Sequence, residues 1–171
     1  MKKIKSLLVD CCLVTLAGVL IWLPSYAADT GNINASVSAK NSAISVSDGT
    51  VDYGALAWNG NANTVTLGQT QVATNQGSAG TFNVKSSQAT GGTGWTMANS
   101  IGVLDEFVHQ FSTTTGATYV QFDTNPNTYK TATTTVVYNA TQNIDLRIYV
   151  PSSTTDFTTK SITVVVQAVA D

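Results

Sequence analysis

Beyond residue 27 the sequence contains no cysteine and little charge. Lys40, Lys85, Lys130, Arg147 and Lys160 are its cations, against nine acids, for a net charge of −4. The missing thiols exclude cysteine nucleophiles and cysteine metal sites. The sparse cations leave no basic footprint for nucleic acid and no polybasic patch for anionic lipid. His109 is the only histidine, so no H-E-x-x-H zinc motif exists; G-x-S-x-G and S-x-x-K nucleophile motifs are also missing. No repeat of fixed period occurs, which argues against a solenoid or propeller.

Long apolar runs are missing too, with one exception. Leu7–Leu23 is almost wholly apolar, and Lys2, Lys3 and Lys5 precede it. Ser25 and Ala27 supply the small residues of a cleavage site before Ala28. This is the pattern of a secretory signal peptide over residues 1–27. As a retained membrane anchor the run is disfavoured by Asp10, because a charge near mid-bilayer costs about 2.5–3.5 kcal/mol on insertion scales. Cys11 and Cys12 sit within the run and read as apolar leader residues rather than lipidation sites. Residues 28–171 are expected to form one exported domain, secreted or held in the cell envelope, with no stable membrane anchor once the leader is cleaved.

What remains is rich in threonine, 26 of 144 residues. Thr is β-branched and suits a pleated, half-buried surface. Period-two alternation recurs at Ile33–Ala39, Ala43–Ser47, Val51–Leu56 and Thr81–Lys85, and Thr64–Leu67, Gln69–Ala73, Trp95–Asn99, Thr118–Phe122 and Thr133–Tyr138 read as further short strands. Glu106–Ser112 reads as a strand, with a three-turn helix through Ser100–Phe111 as the alternative. Ile144, Leu146 and Ile148 alternate with Asp145, Arg147 and Tyr149 until Pro151 stops the strand. Ile162, Val164, Val166 and Ala168 form the inner face of a final strand. Eight to ten short strands between turn signals predict an all-β fold, a single antiparallel β-sandwich of immunoglobulin-like or jelly-roll-like build, with those aliphatics in its core.

Few residues suggest chemistry. His109 alternates with Phe107 and Phe111 as a hydrogen-bonded strand residue would; a secreted hydrolase would pair it with Asp105 or Glu106. Asp123, Asn125 and Asn127 space oxygens as a calcium loop begins, without the Gly and distal Glu that complete one, and read as an Asx turn. No cofactor is expected. Asn34-Ala35-Ser36 and Asn139-Ala140-Thr141 match glycosylation triplets that arise by chance in so Asn- and Thr-rich a chain. Trp58, Trp95, Tyr138 and Tyr149 are the candidate binding aromatics; the tryptophans read more simply as core or core-edge residues, the tyrosines as surface.

Ser45–Leu56, where a strand leads into the Tyr53-Gly54 pair, resembles the opening of bacterial extracellular immunoglobulin-like sandwiches. Gly94-Trp95-Thr96-Met97 resembles the Trp-x-Leu element of WxL cell-wall-binding domains, although Ser161-Ile162-Thr163-Val164 stands where that family carries a second copy. Helix-poor surface-fibre subunits of the TasA and camelysin kind are also similar in style. These resemblances imply a non-catalytic envelope protein with a structural or adhesive role, bound to a cell-wall polymer or glycan. The alternative they imply is a fibre subunit that self-associates through sheet edges by lending a strand. Ile33–Ala39 has the character of such a donor, and also of an ordinary first strand. Mass spectrometry of exported material should give an N-terminus at Ala28; an intact leader in the membrane would contradict the cleavage.

Overall fold

A computed structural model of the chain describes residues 35–171. The leader with Cys11 and Cys12, and Ile33 and Asn34, lie outside the described residues. Ser38–Asp171 forms one compact unit. Its strands are β1 (Ile44–Val46), β2 (Asn61–Asn63), β3 (Gln71–Asn75), β4 (Gly80–Ser86), β5 (Thr96–Met97), β6 (Glu106–Ser112), β7 (Val120–Gln121), β8 (Lys130–Val136), β9 (Thr141–Tyr149) and β10 (Val164–Ala170). One helical turn, α1 (Thr64–Leu67), interrupts them, so the described residues are all-β in class.

Two sheets form. The larger has seven strands along the path β1-β3-β9-β6-β5, with β2 also on β9 and β7 also on β6. The smaller has three, in the order β10-β4-β8. Pairing is antiparallel except between β5 and β6, which run parallel. Alternation places Ala73, Phe107, Phe111, Ile144, Leu146 and Ile148 of the large sheet in one apolar cluster with Phe82, Val84 and Val136 of the small one. Two hydrogen bonds cross between the sheets. Ser86 Oγ lies 2.8 Å from His109 Nδ1, and Asn75 Nδ2 donates to the Val136 carbonyl at 2.6 Å.

Several expectations need correction. Thr64–Leu67 is a helical turn, not a strand. Asn63 caps it by accepting the Thr66 N–H at 2.9 Å, and Gly68 closes it at φ 67°. These local caps outweigh the β-branched side chains between them. Val51–Leu56 forms no strand. Its backbone is tied to side chains instead: Gln69 Oε1 accepts the Asp52 N–H at 2.6 Å, and Asp52 Oδ1 accepts the Gly54 N–H at 2.8 Å. Trp95–Asn99 contributes only the two residues of β5, and the Ser100–Phe111 helix does not form. Ala35–Ala39 is exposed and without regular structure, so it is no first strand of this unit. Ile162, Val164 and Val166 are half-buried rather than core residues, although they pack against it.

The β8 edge is irregular. Its register against β4 shifts between Gly80 and Phe82 and again between Phe82 and Asn83. Thr135 sits in this bulged stretch at φ 58°. A β-branched residue in the left-handed region stores about 1–3 kcal/mol, more than glycine loses in entropy at such a site. Thr135→Gly should therefore stabilise the fold by about 1 kcal/mol and raise Tm by about 4 °C. A thermal melt with an unchanged or lowered midpoint would contradict the strain.

Candidate functional site

The three strands of the small sheet do not cover the inner face of the large one. On the β10 side a cleft of about 770 Å³ remains open. Its floor is Ile144, Leu146 and Ile148 of β9, and Val164 and Val166 of β10 form one wall. The segment between β1 and β2 supplies the opposite wall with Val51, Tyr53 and Leu56. This size is typical of a ligand pocket, and apolar linings with few polar groups are the rule in such pockets.

Trp58, Phe157 and Trp95 ring the end near Val150 and Pro151. Trp58 is 57 % exposed and Phe157 77 % exposed, and their rings stack at 6.5 Å with 22° between planes. Trp58 is thus no core residue, and Phe157 was not legible as its partner. Trp95 is half-buried, its indole N–H donating to Thr154 Oγ1 at 3.3 Å.

The rim is held by one cation. The Lys160 ammonium donates to the carbonyls of Gly91 at 2.6 Å and Thr93 at 2.9 Å, to Thr158 Oγ1 at 3.2 Å, and to the Asp156 carboxylate. It also lies 5.7 Å from the centre of the Trp95 ring. The hydrogen bond from Lys160, helped by Thr158, holds the Asp156 carboxyl well below the usual carboxylate range. Gly92, at φ 62°, admits this packing because a Cβ there would strike Asp156 and Thr158.

His109 backs the cleft. It is 1 % exposed, and Tyr53 Oη sits 3.1 Å from Nε2 while Ser86 Oγ sits 2.8 Å from Nδ1. Both nitrogens of a neutral imidazole are therefore satisfied, one hydroxyl accepting and the other donating. Phe122 lies against the ring at 5.0 Å between centroids. Burial pushes the imidazole down to about 3. Burial likewise holds the Tyr53 phenol above its ordinary range. The partners are not Asp105 or Glu106, the carboxylates a hydrolase would have used. Ser86 and His109 lie as a nucleophile and base would, yet Ser86 is 1 % exposed and the imidazole is a weak base.

The remaining candidates lie elsewhere. Tyr149 is on the opposite face of β9, where the Arg147 guanidinium lies 4.0 Å from the Tyr119 ring centre and 5.1 Å from that of Tyr149. Beside it Asp145 is wholly buried, accepting from Thr70 Oγ1 at 2.5 Å and Thr64 Oγ1 at 3.3 Å. Tyr138 is exposed in the turn after β8, away from the cleft lining. Asp123 Oδ1 and Asn125 Oδ1 accept the N–H groups of Asn125 and Asn127, at 2.9 and 3.1 Å, as Asx turns. Among the described residues, no three His, Cys, Asp or Glu side chains converge on a metal position. No helix among them is long and apolar enough to cross a membrane.

No family model, curated protein or solved structure matches this chain.

The buried imidazole has a consequence for pH. The unfolded chain takes up a proton on His109 near pH 6.5, whereas the folded chain resists it down to about 3. Stability from this group is complete above 6.5 and is lost as pH falls toward 3, at about 1.4 kcal/mol for each unit below 6.5. The His109 ring resonances should stay at their neutral positions to about pH 4 while denaturation midpoints fall. A titration midpoint near 6.5 in the folded protein would contradict the burial.

Proposed function

We propose that this chain is an exported, non-catalytic β-sandwich of immunoglobulin-like build that serves the cell envelope as a structural or adhesive module, binding a cell-wall polymer or glycan. The exposed Trp58–Phe157 stack at the mouth of the cleft carries this reading. Exposed aromatic faces set beside the exposed Thr158 and Thr159 offer what a sugar ring needs: a flat apolar surface for its C–H face and hydrogen-bonding groups for its hydroxyls. The low surface charge suits a neutral polymer better than a polyanion.

The leader supports export, and the two-sheet arrangement with one shared apolar cluster supports the sandwich. The sealed Ser86–His109 pair supports a role without catalysis. A broad hydrolase screen showing activity abolished by His109→Ala would overturn that last point.

Binding should depend on the rim. In co-sedimentation with purified cell walls, and in titration with soluble wall glycans, Trp58→Ala should weaken binding about tenfold, the loss of roughly 1.4 kcal/mol of stacking. Tyr138→Ala, away from the cleft, should leave it unchanged. Failure of the native protein to bind any wall fraction, or equal binding by Trp58→Ala, would contradict the proposal.

A further inference from the structure

The other end of the cleft presents a different feature, and it does not depend on the aromatic rim. In β10 the odd-numbered residues face β4: the Thr163 carbonyl accepts the Ser87 N–H at 2.8 Å, and the Asp171 N–H donates to the Ala79 carbonyl at 3.1 Å. The antiparallel ladder between them keeps that parity. The N–H and C=O groups of Val164, Val166 and Ala168 therefore point to the opposite side. Among the described residues no strand pairs there. Only Ala170 finds a partner, donating its N–H to Ser42 Oγ at 3.0 Å. The same residues turn their side chains inward, toward the cleft and core.

Edges of this kind are normally blunted by charge, proline, bulges or brevity. The far edge of the same sheet has Lys130 and two register shifts. The edge strands β1, β5 and β7 of the large sheet are three, two and two residues long. β10 alone among these is a long, regular edge without charge or proline, running Val-Val-Val-Gln-Ala-Val-Ala. An open apolar cleft beside unpaired backbone has the shape of a missing strand.

The chain contains a segment suited to fill it. Ile33-Asn34-Ala35-Ser36-Val37-Ser38-Ala39 has seven residues, as β10 has, with apolar side chains at alternate positions and no charge to bury. Val37 is 97 % exposed. Chain geometry disfavours its own β10 as the acceptor. The Asn41 carbonyl accepts the Ser78 N–H at 2.7 Å and the Ala43 carbonyl accepts the Gln76 N–H at 2.9 Å. Gln76–Ser78 precedes Ala79, the partner of Asp171, and so lies past the end of β10. A run entering there would have to reverse within Ala39–Lys40 to lie along β10. A second copy meets no such constraint.

We infer that the open edge of β10 takes Ile33–Ala39 of a second copy as an added strand. Ile33, Ala35, Val37 and Ala39 would enter the cleft, and each subunit would accept one segment and donate another. The contact is heterologous, so it propagates into a filament unless a ring closes.

Light scattering coupled to size exclusion on the exported chain, over a range of concentrations, tests this. Mass should rise with concentration to multiples of the monomer. Val37→Lys, at an exposed position, should leave the monomer folded by circular dichroism and abolish the rise. A synthetic peptide of residues 33–39 should bind Val37→Lys one to one and suppress assembly of the native chain. A native chain that stays monomeric at every concentration would overturn the inference, as would undiminished assembly by Val37→Lys or a peptide that does not bind. Wall binding by Val37→Lys, measured alongside, separates this outcome from the fate of the glycan reading.

Discussion

Seven strands face three, and the rest of the molecule is arranged around that mismatch. β9 presents Ile144, Leu146 and Ile148, all buried, to the space between the sheets, and the small sheet ends at β10, beside the cleft that they floor. A fully buried valine contributes about 1.5–3 kcal/mol. Val164 and Val166 realise only part of that, because one flank stays open. The walls of the gap are built from material that cannot continue either sheet: Val51–Leu56 is anchored through Gln69 and Asp52, and the Asp156–Lys160 loop is gathered by a single ammonium. The cleft, its aromatic rim and the bare edge of β10 follow from one shortage of strands.

Where the sheets do meet, polar groups fix their register. His109 reaches across to Ser86, and Asn75 reaches the Val136 carbonyl. Asn75 also donates to the Ser78 carbonyl at 2.9 Å and, through Oδ1, accepts the Gly77 N–H at 3.0 Å, so it organises the turn from β3 to β4. Buried polar groups are costly unless fully partnered, and these are partnered on every side that the core closes. The gain is directional: apolar packing alone would let one sheet slide over the other, whereas these bonds fit one alignment. The penalty is sensitivity to acid, because the imidazole must stay neutral.

Much of the strand pattern was legible because side chains alternate on it. Glu106–Ser112 appears with the bounds expected, since Phe107, His109 and Phe111 share one face. β9 and its stop at Pro151 were legible for the same reason. Thr64–Leu67 misled because β-branched residues occupy a turn decided by Asn63 and Gly68 on either side. Val51–Leu56 misled because alternation reports which side chains are buried, not whether the backbone is paired. The site was harder to read. Trp58 and Phe157 are 99 positions apart in the sequence, and nothing local to either foretells the stack. Ile33–Ala39 carries the alternation of a strand, yet its described part, Ala35–Ala39, is exposed and without regular structure, and that discrepancy pointed to the open edge.

The cleft and the open edge both require β10 to be paired on one side only, and amide hydrogen exchange of the monomeric Val37→Lys chain measures that residue by residue. Val165, Gln167 and Val169 should be strongly protected by β4, while Val164, Val166 and Ala168 exchange rapidly through the open flank. Uniform protection along β10 would show that another element covers the edge, and would contradict the open flank on which the cleft and the added strand depend.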